Sequence, residues 1–175
     1  MGTDKAFVEV DGVPMVERVA AALEAGGCDP VVLVGGDGVL LSRFGRPVVA
    51  DTFPGQGPAG GVLTALGTVD DTAVAVVVAS CDLPALDGST VALIAAALDG
   101  AGPDAAVAVT DRWQLSLTAW RSAAAPVVVS AWASGVRSLH ELVAAVRHVE
   151  VTVPADSLRN VNTPDELADA DQVAR

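Results

Sequence analysis

The chain of 175 residues carries 22 acidic and 10 basic side chains, a formal net charge of -12. This length suits one domain covering residues 1–175, and 51% hydrophobic against 18% charged residues excludes disorder driven by charge. Nucleic acid and anionic membrane surfaces are disfavoured as partners, because both require clustered Lys and Arg. A small-molecule partner is therefore expected.

The longest apolar stretches, 74–78 and 123–129, are far shorter than the roughly 20 residues of a membrane helix. The first residues lack the basic start, apolar run and cleavage site of a secretory signal, which predicts a cytoplasmic location. Cys28 and Cys81 fit that compartment. Neither belongs to a Cys-x-x-Cys pair, so we expect small buried residues rather than zinc ligands.

Five short apolar runs alternate with Ala- and Leu-rich stretches of helical spacing, which predicts an α/β fold. The runs cover 31–34, 47–50, 74–79, 105–109 and 148–153. They are apolar almost throughout, which indicates a mostly parallel sheet covered by helices on both faces.

Helix boundaries are predicted in three places. Pro14 opens the first helix and the pair 26–27, Gly-Gly, closes it. The second runs over about 90–98, with Ser89 as its N-cap. The third begins at 162–166, where Thr-Pro-Asp-Glu has capping-box spacing.

The segment 80–84, Ser-Cys-Asp-Leu-Pro, follows the most apolar predicted strand. A carboxylate at Asp82 would lie at the carboxyl end of a central strand, where ligands bind in open α/β sheets. One Asp beside phosphates suits Mg²⁺, which takes one or two carboxylates and otherwise phosphate and water. The alternative is an Asp in a turn that Pro84 ends, and position alone leaves both open.

The loop 51–61 holds four glycines and two prolines between a strand and a helix expected near Gly60. Glycines permit close backbone approach and helix N-termini attract anions, which favours a nucleotide over an ordinary βα connection. Gly55, Gly57 and Gly60 also match the Gly-x-Gly-x-x-Gly dinucleotide fingerprint. Four residues separate it from the strand, and Pro58 removes an N–H at the helix start, so this alternative is weaker.

Other chemistries find little support. His140 falls in a predicted helix and His148 at a strand entrance, so histidine catalysis is disfavoured. The sequence contains neither a Gly-x-Ser-x-Gly elbow nor a Gly-x-x-x-x-Gly-Lys phosphate loop. Lys5 would neutralise a phosphate as a compact charge, but a lysine near the terminus is uninformative alone.

Five segments resemble the molybdenum cofactor guanylyltransferases, the MobA-like nucleotidyltransferases, in order and spacing over nearly the whole chain. They are residues 1–6, 11–15, 57–61, 81–84 and 160–167. The resemblance implies a Rossmann-like three-layer fold with a mostly parallel sheet. It also implies attack by the terminal phosphate of molybdopterin on the α-phosphate of MgGTP, which yields the guanine dinucleotide cofactor and pyrophosphate.

The same resemblance implies site residues. Lys5 would contact the phosphates and stabilise developing charge, Asp82 would bind Mg²⁺, and Asp51 would contact the nucleotide. The adjoining pocket wall and the acceptor side would be formed by Gly57, Pro58, Gly60, Asn160 and Asn162. Such chemistry depends on positioning and charge neutralisation, so the scarcity of His and Cys candidates fits it.

The family signature begins with a strand and a Leu-x-Gly-Gly-x-Ser-x-Arg loop, and this chain starts inside that signature. About 16 residues, a strand and its phosphate loop, would be missing. That strand would lie in mid-sheet, so its loss would expose an apolar edge on each neighbour. We expect Met1 to be an internal methionine of a longer protein, and the 175-residue form to bind nucleotide weakly and transfer poorly.

Base and acceptor choice stay open. The residues after the second strand, 35–37, offer few side-chain donors, so a cytidylyl or sugar-phosphate nucleotidyltransferase is an alternative. A catalytically inactive binding module is another. Arg137 would either offer its guanidinium to an acceptor phosphate or be an ordinary exposed arginine at a helix start.

Overall fold

The computed structural model describes residues 5–69, 74–100 and 102–159. The strands in these ranges are β1 (Glu9–Val10), β2 (Val13–Pro14), β3 (Leu33–Val34), β4 (Val48–Val49), β5 (Ala75–Ala79), β6 (Ala105–Val109), β7 (Trp113–Arg121) and β8 (His148–Thr152). The helices are α1 (Met15–Ala25), α2 (Gly38–Leu41), α3 (Gly57–Leu66), α4 (Gly88–Ala96), α5 (Ala125–Ala133) and α6 (Leu139–Ala144). Short 3-10 turns cover Lys5–Phe7, Ser42–Phe44, Ser122–Ala124 and Ala155–Leu158.

The main sheet has the order β5-β7-β6-β8. β6 and β8 are parallel, and β7 runs antiparallel to both β5 and β6. β5, β6 and β8 therefore point the same way and β7 is reversed, which confirms an α/β fold with parallel strands and makes the sheet mixed. All five predicted strands are present, but β7 is a strand that the sequence analysis missed.

β3 and β4 form a separate parallel pair, and β1 and β2 form a hairpin. Among the described residues no strand pairs with the second edge of β5, whose five residues are all half-buried. α3 contacts both β3 and β5 and so spans the two sheets. The strand expected between them stays a prediction.

The main sheet is packed on both faces, as a three-layer fold requires. In β6, Ala106 and Ala108 enter a cluster with α1 and α4, whereas Ala105 and Val107 enter a cluster with α3, α5 and α6. This split follows from the alternation of side chains along a strand. Both layers bury their apolar faces against the sheet, which explains why the predicted strands are apolar almost throughout.

Arg46 joins the β3–β4 pair to α1. Its Nη1 lies 2.5 Å from Glu17 Oε1 and its Nε donates to Glu24 Oε1 at 2.8 Å. The hydrogen bond from Arg46 lowers the pKa of Glu24. The Arg46 side chain is only 15% exposed, so its pair with the partly buried Glu17 is better shielded than an ordinary surface ion pair.

Two helix starts differ from prediction. α1 begins at Met15, with Pro14 as its N-cap, and ends at Ala25, with Gly26 as its C-cap. α4 begins at Gly88, and its N-cap is Asp87 rather than Ser89, because the Asp87 carboxylate accepts the Thr90 N–H at 2.9 Å.

The last of the three predicted helices would begin at 162–166, which lies outside the described residues. Cys28 and Cys81 are half-buried rather than buried, and burial raises the pKa of the Cys28 thiol. No helix in the described ranges combines the length and apolar content needed to cross a bilayer.

α1 and α4 approach each other closely through two glycines. A Cβ on Gly88 would lie 2.8 Å from the Ala25 carbonyl carbon, and one on Gly26 would lie 2.4 Å from Val91 Cγ1. Because the first obstacle is backbone, the helices would have to separate to admit a methyl group.

We therefore expect Gly88→Ala to lower the free energy of unfolding by about 1–3 kcal/mol, the usual cost of overpacking. Gly61→Ala is the matched control, since Gly61 lies inside α3 and a Cβ there meets nothing within 4 Å. It should raise stability by about 0.5–1 kcal/mol by removing a helical glycine. Urea denaturation measures the free energy of unfolding of both variants. An equal change in the two would contradict the close contact between Gly88 and Ala25.

Candidate functional site

Asp82 lies in the turn that follows β5. Before it, the Ser80 N–H donates to the Ser116 carbonyl at 2.8 Å, and after it Leu83 is completely buried. Asp82 Oδ1 is itself buried and has no hydrogen-bond partner among the described residues. A buried acceptor without a partner is costly, and a bound water, ion or ligand would satisfy it.

The position of Asp82 in the sheet partly corrects the prediction. It does follow the carboxyl end of an apolar strand, but β5 is at the edge of its described sheet rather than in the centre. The carboxylate therefore follows a strand whose second edge pairs with no strand of the described residues, and the β3–β4 pair belongs to a separate sheet.

Lys5 belongs to a segment that packs beside the Asp82 turn. Its neighbour Ala6 is buried in a cluster with Leu33 of β3, and Cys81 packs against the same cluster. The two predicted catalytic residues thus extend from segments held together by one apolar cluster.

Asp51 follows β4 and is held by the loop that it begins. Its Oδ1 accepts the Phe53 N–H at 2.9 Å and lies 3.1 Å from the Thr64 hydroxyl. That hydroxyl also accepts the Thr52 N–H at 3.1 Å and lies 3.0 Å from the Gly60 carbonyl. Its one proton is shared between the carboxylate and the carbonyl.

Thr64 was missed by the sequence analysis. It is only 3% exposed, although it is a polar residue inside the apolar helix α3. A lone threonine among apolar helix residues was the available signal, because a buried hydroxyl needs partners. Thr64 fixes the Asp51 carboxylate against the glycine-rich loop.

The glycine-rich loop enters α3 earlier than predicted. The helix begins at Gly57 rather than near Gly60, and Pro58 lies in its first turn. Gly57 has φ +70°, a conformation that favours glycine, and it is exposed. A Cβ on Gly60 would lie 3.0 Å from Phe53 Cβ, so glycine there lets the loop pack onto the helix.

A cavity of about 490 Å³ opens at the end of β3, beside Asp51. The Gly35 N–H donates to the Val49 carbonyl at 2.8 Å, and a Cβ on Gly35 would lie 3.6 Å from Asp51 Cβ. The lining residues are Gly35, Gly36, Gly38, Ser42, Arg46, Val48 and Ala50. Two of the residues expected to face a nucleotide base therefore line a real cavity next to Asp51.

Arg137 is exposed and stacks on an aromatic pair. Its guanidinium carbon lies 4.1 Å from the centre of the Trp132 ring, and its Nη1 donates to the Trp132 carbonyl at 2.6 Å. The Trp132 ring lies 5.0 Å from Phe53 in the glycine-rich loop. Arg137 is thereby linked to the loop, and its binding to an acceptor phosphate stays a prediction.

The two histidines lie at the surface, on either side of Trp113. Its ring centre is 4.6 Å from that of His140 and 5.1 Å from that of His148, and its indole N–H donates to Glu150 Oε1 at 2.6 Å. His140 is in α6 and His148 begins β8, as predicted.

Asn160 and Asn162 lie outside the described residues. The turn Ala155–Leu158 just before them is tied to the start of α4, because the Ser157 hydroxyl donates to Asp87 Oδ2 at 2.7 Å. Burial raises the pKa of Asp87, but hydrogen bonds from Ser89, Ser157 and Thr90 outweigh this and lower it to about 2.

The lowered pKa predicts a pH dependence. The folded value of about 2 lies below the ordinary value of 3.8, so the ionised carboxylate stabilises the fold above about pH 4 and loses its effect toward pH 2. Asp87→Asn should be less stable than wild type at pH 7, and the gap should narrow over that acid range. Thermal denaturation of both proteins at each pH measures this difference in stability. A difference that stays constant with pH would refute the lowered pKa of Asp87.

Ser157→Ala should raise the pKa of Asp87, because it removes one of the hydrogen bonds that lower it.

The described residues contain no group of three or more His, Cys, Asp or Glu side chains placed to hold a metal ion. Asp82 stays the predicted ligand of a cation that takes one protein carboxylate and completes its coordination with phosphate and water. Its unpartnered Oδ1 fits that description.

An α/β core that contains parallel strands, a glycine-rich βα loop and a carboxylate at a strand end is typical of nucleotide-binding proteins. The sequence model of one family, described as "MobA-like NTP transferase domain", matches residues 1–156, and the chain belongs to that family. The predicted nucleotidyltransferase class is confirmed.

Two relatives with assigned names support the same family. The chain is 31% identical to a molybdenum cofactor guanylyltransferase of Rhizobium rhizogenes, with 98% of this chain and 85% of the relative covered. It is 30% identical to the enzyme of that name from Pseudomonas putida, with 96% and 88% covered.

Solved structures share the fold. Molybdopterin-guanine dinucleotide biosynthesis protein A from Archaeoglobus fulgidus superposes with a TM-score of 0.78 at 24% identity, covering 99% of this chain and 91% of that one. 2-C-methyl-D-erythritol 4-phosphate cytidylyltransferase from Thermus thermophilus superposes with a TM-score of 0.71 at 19% identity, covering 98% and 94%.

Proposed function

We propose that the protein is a guanylyltransferase that transfers GMP from GTP to molybdopterin, releasing pyrophosphate and forming the guanine dinucleotide cofactor. The observation that carries the proposal is the buried, unpartnered Oδ1 of Asp82 after β5. Relatives at 30% and 31% identity that bear the name molybdenum cofactor guanylyltransferase supply the choice of substrates.

We propose Mg²⁺ as the ion at Asp82. The residue supplies one hard oxygen, and the nucleotide would supply the others. Bound there, Mg²⁺ would neutralise charge that develops on the transferring phosphoryl group.

The protein's own residues would position and neutralise the reactants. A terminal phosphate oxygen of molybdopterin forms a bond to the α-phosphorus of GTP, and the bond from that phosphorus to the bridging oxygen breaks. Pyrophosphate leaves with the bonding electrons. Lys5 would offset the negative charge of the pyrophosphate. Such transfers require the protein chiefly to position the reactants and to neutralise their charge.

The nucleotide would lie along the ends of β3 and β4. Asp51 is held there by hydrogen bonds from Phe53 and Thr64, and Gly57, Pro58 and Gly60 would form the adjoining wall. Asn160 and Asn162 would serve the acceptor side. The cavity at Gly35 and Gly36 would receive the base.

A cytidylyltransferase is the second candidate, because a cytidylyltransferase shares the fold at a TM-score of 0.71. The glycines of the cavity lining offer no side chains to select a base. Pyrophosphate release measured with GTP, CTP and ATP, each with and without molybdopterin, separates the two. Release that requires molybdopterin and GTP supports the proposal, and a preference for CTP would overturn it.

Asp82→Asn tests the metal site. We expect transfer to fall at least about 100-fold, the cost of losing a main electrostatic group. The melting temperature should not fall, because no described residue makes a hydrogen bond to Oδ1 that the change would break. Asp99→Asn is the control, since Asp99 is exposed after α4, away from the turn. Full activity in Asp82→Asn would rule out the assigned role.

Lys5 allows a direct test because it is the only lysine in the sequence. Lys5→Ala should weaken GTP binding about 10-fold or more, since hydrogen bonds to charged groups are worth about 1.5–3 kcal/mol. Isothermal titration measures this, with Arg147→Ala as a control at an exposed ion pair. Reductive ¹³C-methylation keeps the charge and should give one lysine signal that shifts with GTP. An unchanged dissociation constant together with an unmoved signal would exclude contact.

A further inference from the structure

Arg18 lies in α1 and makes hydrogen bonds to two other segments. Its Nε donates to the Pro84 carbonyl at 2.9 Å, and its Nη1 donates to the Val10 carbonyl at 3.3 Å. Nη1 also lies 3.6 Å from Asp11 Oδ2. One guanidinium therefore joins the turn after β5 to the β1–β2 hairpin.

The first contact fixes the turn that holds Asp82. Pro84 is two residues beyond Asp82, and the completely buried Leu83 lies between them. The turn is held on its entry side by the Ser80 N–H bond to Ser116 and on its exit side by Arg18. With both ends held, the carboxylate has a defined place.

The second contact fixes the segment that carries Lys5. The turn Lys5–Phe7 leads directly into the hairpin, with the Val8 N–H donating to the Lys5 carbonyl at 3.1 Å. The Met15 N–H donates to the Val8 carbonyl at 2.8 Å, so the hairpin is also anchored to the start of α1.

We propose that Arg18 is a positioning residue. It sets the position of the turn that holds Asp82 relative to the β1–β2 hairpin and the Lys5–Phe7 turn that leads into it. This inference rests on the proposed function for the roles of those two residues. A guanidinium suits the task, because its rigid donors bond two carbonyls in different directions at once. Its hydrogen bonds reach the backbone of Pro84 and Val10, so it would act through the segments that it joins.

Arg121 provides a matched control with the same chemistry elsewhere. Its Nε donates to the Pro103 carbonyl at 2.7 Å, and its Nη2 contacts the carbonyls of Leu98 and Gly100. Arg121 pairs with Ala75 at the start of β5, whereas Asp82 follows the end of that strand. Loss of Arg121 should therefore cost stability without disturbing the turn.

The test measures Mn²⁺ binding by electron paramagnetic resonance in the presence of GTP, with the full chain. Arg18→Gln should weaken Mn²⁺ binding about 10-fold or more, as loss of a residue that supports a metal ligand usually does. Arg121→Gln should lower the melting temperature and leave Mn²⁺ binding unchanged. In an Asp82→Asn background, Arg18→Gln should add nothing further.

Wild-type Mn²⁺ affinity in Arg18→Gln, or an equal loss in Arg121→Gln, would overturn the proposal. Arg18→Lys keeps the charge near Asp11 but not the two-direction donors, so it should also bind Mn²⁺ weakly. This variant serves if Arg18→Gln does not fold, and full affinity in it would likewise overturn the proposal. If wild type binds Mn²⁺ but transfers no GMP, the proposed function fails while the comparison of variants still decides the role of Arg18.

Discussion

The rest of the site depends on one constraint, which is that a carboxylate is carried into the edge of an apolar core. Leu83 is completely buried, and Oδ1 of the neighbouring, half-buried Asp82 is also out of water, without a hydrogen-bond partner among the described residues. Such an oxygen is unfavourable in the free protein and favourable once a cation arrives. The free energy that the core supplies elsewhere offsets this local cost. Under the proposed function, a cation at Asp82 would satisfy this oxygen.

Different residues of α1 contact several of the elements around that carboxylate. Gly26 at its end permits the close approach of α4, and Arg18 holds the turn and the hairpin. Glu17 and Glu24 bind Arg46 and so hold the β3–β4 pair beside the helix. One helix thereby relates the two predicted catalytic segments to the strands at whose ends the nucleotide would lie. This arrangement explains why few of the residues that shape the site are themselves reactive.

The elements that were predicted correctly are those with a local signal. The five apolar strands are visible because strands covered on both faces exclude polar residues over their whole length. β7 was missed because Gln114, Ser116 and Thr118 interrupt its apolar residues. The fully buried Thr118 is tolerated only because its hydroxyl accepts the Trp120 indole N–H at 2.9 Å. The N-cap of α4 was placed two residues late, because Asp and Ser cap equally well, and the distant Ser157 adds a hydrogen bond to Asp87 that no local pattern shows.

The sequence by itself determined the α/β class, the strand that precedes Asp82 and the glycine-rich loop, since periodicity, turn residues and chain order express these directly. Only the tertiary structure decided that Asp82 Oδ1 lacks a partner, that Thr64 fixes Asp51, and that β7 runs against its neighbours. The physical reason is distance along the chain. Arg18 and Pro84 are 66 residues apart, and Ser157 and Asp87 are 70 apart. Contacts of that kind depend on how whole layers pack, which no local pattern of residues records.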